Sequence, residues 1–100
     1  MVKHVILWKL KEELTAEEKE NVKAGIKEGL EGLAGKVPGL VDVKVNINGL
    51  PTSTVDVMLD TTFTDADGLK AYSTNPLHVA VADGKVRPYT AVRSCLDYEV

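Results

Sequence analysis

Val2-Lys3-His4-Val5-Ile6-Leu7-Trp8-Lys9-Leu10 is the stretch that decides the fold. Taken with the two-residue period of a strand, one face carries Val2, His4, Ile6, Trp8 and Leu10, and the other carries Lys3, Val5, Leu7 and Lys9. Both faces are apolar at their centre. A strand of this kind is buried on both sides, so the sheet that holds it must be covered twice.

Downstream, Thr15-Ala16-Glu17-Glu18 has the pattern of a capping box. It predicts a helix over about 16–34, with Val22, Ile26, Leu30 and Leu33 as its apolar stripe. Gly25, Gly29 and Gly32 lie on or beside that stripe. Each costs about 1 kcal/mol of helix propensity relative to Ala, so they imply either close approach to the sheet or room for a ligand. Gly35 and Pro38-Gly39 end the helix. Val41, Val43, Val45 and Ile47 alternate with polar residues as a second strand, and 48–53 reads as a loop. Val55 to Phe63 then alternates as a third strand. Thr64-Asp65-Ala66-Asp67 repeats the capping pattern before a short helix, and Asn75-Pro76 opens another that runs to about Lys85. Residues 89–99 form the last strand, with Val92, Ser94, Leu96 and Tyr98 on one face and Arg93, Cys95 and Asp97 on the other.

The order β-α-β-β-α-β, with two right-handed crossovers, predicts a ferredoxin-like α+β fold whose four-stranded antiparallel sheet runs 4-1-3-2. The helices cover one face, expected to carry Ile6, Trp8, Val43, Val45, Val57, Leu59 and Phe63. Val5, Leu7, Met58, Val92, Leu96 and Tyr98 gather on the other, rimmed by charged residues, and nothing in the chain is left to cover them. An apolar patch with a charged rim reads as a subunit interface, so a homodimer is expected.

Composition agrees with one domain over residues 1–100. The chain is 44% apolar and 27% charged, with net charge −3. Lys and Glu are intermixed, so no basic stripe exists for nucleic acid or an anionic membrane. The longest apolar run near the N-terminus, Val5 to Trp8, is too short for a membrane span or a signal segment. Cys95 is the single cysteine, which precludes an intrachain disulfide and fits a reducing, cytoplasmic compartment.

Four residues carry candidate chemistry: His4, Tyr72, His78 and Asp97. On the predicted fold they converge between helices and sheet. His78 is the third residue of its helix, where the dipole disfavours imidazolium, so it suits a general base with Asp97 as its orienting acceptor. Tyr72 suits a donor to an enolate or carbonyl oxygen. The plainer reading is a structural one, a buried His satisfied by a carboxylate and a half-buried Tyr. No local ligand spacing supports a metal at His4, His78 and Asp97. Arg93 shares the helix-facing side, where it either pairs with Asp97 or binds an anion, and Cys95 reads as a core residue.

Val2-Lys3-His4 with its apolar run, Pro38-Gly39, Tyr72-x-x-x-Pro76-x-His78 and Leu96-Asp97-Tyr98 together resemble the stress-responsive A/B barrel (Dabb) family over the whole chain. The resemblance implies a dimeric α+β barrel. Most members of that family have no assigned activity, and one plant member is a cofactor-free polyketide cyclase whose catalytic Tyr and His match Tyr72 and His78, with supporting His and Asp matching His4 and Asp97. That enzyme has aromatics where the first helix here carries Val22, Ala24, Gly25 and Ile26. Three functions follow as expectations: a homodimer binding a small hydrophobic or polyketide-like ligand without a cofactor, a cyclase-like enzyme, or a haem-binding or monooxygenase-type barrel with His4 or His78 as proximal ligand.

Overall fold

A computed structural model describes residues 1–100. Strand β1 (Val2–Leu10) is followed by helix α1 (Ala16–Glu31), strands β2 (Leu40–Asn46) and β3 (Val57–Phe63), helices α2 (Ala66–Thr74) and α3 (Pro76–Val81), and strand β4 (Thr90–Glu99). The sheet is antiparallel throughout, in the order β2-β3-β1-β4, which is the predicted one. The arrangement is ferredoxin-like. No helix is long and apolar enough to cross a membrane.

Local chemistry sets most boundaries. The Thr15 hydroxyl accepts from the Glu18 N–H at 3.1 Å and the Glu18 carboxylate accepts from the Thr15 N–H at 2.9 Å, so the capping box is complete. Helix α1 stops at Glu31, earlier than the expected 34, and Leu33 and Val37 reach the core from the turns that follow. Asp65, not Thr64, caps α2 by accepting from the Gly68 N–H. Asn75 caps α3 through Leu77 N–H, with Pro76 at its first turn as expected. Helix α3 does not run to Lys85. A π-helical turn over Ala82–Val86 and a 3-10 turn over Arg87–Tyr89 carry the chain to β4. Strand β3 begins at Val57, and just before it Asp56 still ties to β1: its carboxylate accepts from the Leu10 N–H and its own N–H donates to the Trp8 carbonyl. A register shift between Leu40 and Asp42 turns Val41 out to solvent, so Leu40 rather than Val41 packs on the core.

The helix-facing side of the sheet buries Ile6, Trp8, Val43, Val45, Val57, Leu59 and Phe63, as predicted, against Ile26, Leu30, Leu33 and Tyr72. The glycines of α1 do not serve the sheet. A side chain at Gly29 would meet Val81 of α3 at 2.8 Å, so this glycine admits α3, whereas Gly25 faces open space. Gly39, at φ +84°, lets the turn before β2 pass Gly68 of α2. On the opposite face, Val5, Leu7 and Met58 are partly covered by their own neighbours, while Val92, Leu96 and Tyr98 are 53%, 64% and 43% exposed. No element of this chain lies over them.

Candidate functional site

The register of β1 with β4 places His4 directly opposite Asp97 on the helix-facing side. His4 Nδ1 and an Asp97 carboxylate oxygen form a short hydrogen bond. Behind His4, its own carbonyl accepts from the hydroxyl of Thr61, the one fully buried polar side chain of the core, at 2.6 Å. Burial pushes the Asp97 carboxyl up, but the His4 hydrogen bond and charge, the Cys95 thiol and the Arg93 charge outweigh it and hold Asp97 below the usual carboxylate value.

Above this pair, α2 lowers Tyr72 into the core and α3 sets His78 against it. The Tyr72 and His78 rings are 4.1 Å apart at 35°, and Tyr72 also leans on Phe63 at 5.0 Å and on the edge of His4 at 6.2 Å. Burial raises the Tyr72 hydroxyl to about 12, so it remains a neutral donor. Burial lowers the His78 imidazole below its ordinary value. The Ser73 backbone, close to the ring without completing a hydrogen bond to Nδ1, opposes this, and the charges of Arg87, His4 and Arg93 reinforce it. Tyr72 Oη and His78 Nδ1 are both buried and neither has a partner.

These rings border a cavity of about 170 Å³ between α2, α3 and the β1–β4 half of the sheet. Its wall includes His4, Tyr72, His78, Trp8, Arg87 and Arg93. Of the four residues singled out from the sequence, three meet at this cavity. Asp97 stands behind His4, and its expected role as the acceptor orienting His78 is not the one the geometry gives it: the strand register commits its carboxylate to His4. The space between α1 and the sheet is filled by Ile26, Leu30 and Leu33. A larger groove of about 320 Å³ runs beside α1 at Gly25, Lys85 and Tyr89, but it is more open to solvent and holds none of the four residues.

Cys95 corrects a second expectation. It is exposed rather than buried in the core, because β4 is the sheet edge and the helix layer stops short of it. Its Sγ lies 3.6 Å from His4 Nδ1 and donates toward an Asp97 oxygen at 3.4 Å. Donor atoms of His4, Cys95 and Asp97 fall within 4.8 Å of one another, a cluster that the sequence reading missed. The two-residue spacing that puts Cys95 and Asp97 on one face of β4 was the sequence signal for it. Burial and the Asp97 hydrogen bond and charge raise the Cys95 thiol, so it rests protonated. His78 stands outside this cluster, so the set of His4, His78 and Asp97 does not gather around one point.

The family model for the stress responsive A/B barrel domain matches residues 2–100. Nothing matches among curated proteins. Among solved structures, a dimeric protein of unknown function and ferredoxin-like fold from Bacteroides fragilis is 34% identical, with TM-score 0.93, covering 99% of this chain and 95% of that one. A Dabb family protein with a ferredoxin-like fold from Mesorhizobium loti is 15% identical, with TM-score 0.74 and coverage of 99% and 95%. A hydroxynitrile lyase from Passiflora edulis is 16% identical, with TM-score 0.71 and coverage of 97% and 90%. At the latter two identities the likeness is one of fold.

Proposed function

The chain belongs to the stress-responsive A/B barrel domain family, and from that premise we propose that it works as a homodimer binding a small organic ligand in the cavity beside His78. The observation that carries this reading is a cavity lined by Tyr72 and His78, whose buried Oη and Nδ1 have no hydrogen-bond partner within the chain. Leaving such an atom unpaired costs about 1–3 kcal/mol, and a ligand with a polar atom at that point removes the penalty. The uncovered sheet face supports the dimer, as does the description of the Bacteroides fragilis protein as dimeric.

The lowered His78 imidazole favours a catalytic form of this reading. A neutral His78 takes a proton from the carbon next to a carbonyl, the C–H electron pair delocalises into the carbonyl, and the Tyr72 hydroxyl donates to the enolate oxygen that results. Asp97 fixes the ring of His4 on the far side of Tyr72. Size limits the substrate. About 170 Å³ is below the roughly 300–1,000 Å³ of sites for drug-sized ligands, and the filled space under α1 offers no tunnel for a long acyl chain. A short carbon acid fits, and a haem or an extended tetraketide does not.

Deuterium exchange at the central carbon of small β-dicarbonyl compounds, followed by NMR, tests this. The protein should accelerate exchange, with a loss of about 10²-fold or more in His78→Ala and a clear loss in Tyr72→Phe. Unchanged exchange in both variants would reject the assigned roles.

A further inference from the structure

We propose that the ligand of this cavity is a small organic monocarboxylate and that the Arg93 guanidinium is the group that binds its carboxylate. The inference rests on the reading of the cavity as the ligand site and adds its specificity.

The charge around the cavity runs against that of the chain. The whole sequence has fifteen acidic residues against twelve basic ones, yet the cavity wall carries Arg87, Arg93, His4 and His78 and not a single carboxylate. Two of these cationic or ionisable groups are already committed. Arg87 pairs with Asp83, and His4 pairs with Asp97. Arg93 forms no ion pair. Its natural partner would be Asp97, four residues along on the same face of β4. That carboxylate is taken by the His4 ring and approached by the Cys95 thiol. Arg93 therefore lines the cavity with no carboxylate in direct ion-pair contact, feeling the Asp97 charge only at longer range and sharing the Cys95 thiol as a neighbour.

The rest of the wall says what the anion is attached to. Ile6, Trp8, Leu69 and Val86 supply an apolar surface, suited to a hydrocarbon body rather than to a bare inorganic ion. A planar guanidinium presents paired N–H donors that match the two oxygens of a carboxylate. The Tyr72 and His78 rings line the same cavity, and their unpartnered Oη and Nδ1 offer a second polar atom of the ligand a partner if it displaces the packing that covers them. Carboxylate at Arg93 and carbonyl near Tyr72 describe a short oxo-acid.

Benzoate, its neutral counterpart benzyl alcohol, and inorganic phosphate serve as probes, titrated at one ionic strength near neutral pH while the His78 ring signals are followed by NMR. Benzoate should shift those signals saturably and bind at least tenfold more tightly than either other probe. Arg93→Leu should weaken benzoate by about tenfold or more, as expected for a lost charged hydrogen bond. Lys36→Gln, an equal change of net charge at an exposed site remote from the cavity, should leave it unaltered. Should Arg93→Leu lose the native circular dichroism spectrum, Arg93→Gln carries the same expectation. Equal binding of benzoate and benzyl alcohol, equal weakening by Lys36→Gln, or tighter binding of phosphate would overturn the assignment while leaving the cavity as a ligand site. Absence of any response at His78 to all three probes would instead count against the cavity itself.

Discussion

His78 is held neutral by its surroundings, and the consequence has a definite sign. An imidazole in the unfolded chain titrates near 6.5, and burial among positive neighbours lowers the folded one. As the pH falls, the unfolded state takes up its proton first. Stability associated with the buried neutral ring is therefore complete above about pH 6.5 and is lost as the pH drops toward the folded value. The same ordering governs proton abstraction, since the base stays in its active form until the folded ring protonates. The acid limb of kcat/KM on a β-dicarbonyl substrate should accordingly lie below pH 6.5, and a limb at or above that value would show that His78 is not the titrating base. Tyr72, raised to about 12, leaves the profile flat through neutral pH. The residue types of this site were legible from the sequence because an Asn-Pro helix start fixes His78 in place and strand alternation fixes His4. Which of them touch was not. The pairing of Asp97 with His4 rather than His78 follows from the β1–β4 register, and sequence alternation gives the face of a strand without its register.

Among the elements, the two edge strands are treated differently. At β2, Lys27 of α1 donates to the Val45 carbonyl at 2.7 Å while Glu31 accepts from the Val45 N–H at 2.9 Å, and the two side chains pair with each other at 2.8 Å. The helix thus supplies the edge with the partners a neighbouring strand would have given it, a guard against edge pairing. The Lys27 hydrogen bond and the Val45 N–H hold the Glu31 carboxyl below its ordinary value. Glu31→Ala should cost about 1–2 kcal/mol in denaturant unfolding, the partial exposure of the pair keeping the figure at the low end; a change within error would mean that β2 holds its edge unaided. Strand β4 has no such guard, and its outward edge and exposed Cys95 go together. Element order and the covered face were readable because periodicity reports burial directly. The π-helical turn at Ala82–Val86 was not, since it continues an apolar helical pattern and changes only the winding. Nor was the bulge at Val41, whose side chain fits the alternation while the backbone departs from it.

At the scale of the whole molecule, one helix layer serves a sheet with two apolar faces. The covered face takes the core and the cavity, and the other is left with Val5, Leu7 and Met58 half-buried beside the exposed Val92, Leu96 and Tyr98. Along the same face, the Lys3 ammonium pairs with Asp60 at 2.6 Å and donates to the Thr62 hydroxyl at 2.9 Å, forming part of the charged rim. A second copy placed face to face would close the barrel and leave both cavities on the outer, helical sides, each subunit keeping its own His4, Tyr72 and His78. Leu7→Asp sets a charge at the centre of that interface and should yield a folded or partly folded monomer, because Leu7 points away from the core. The most direct test of the account is the native mass in solution by light scattering. It should be twice the 10.8 kDa of one chain for the natural sequence and fall to that single value for Leu7→Asp. A natural protein found at 10.8 kDa, with its apolar sheet face in water, would contradict it.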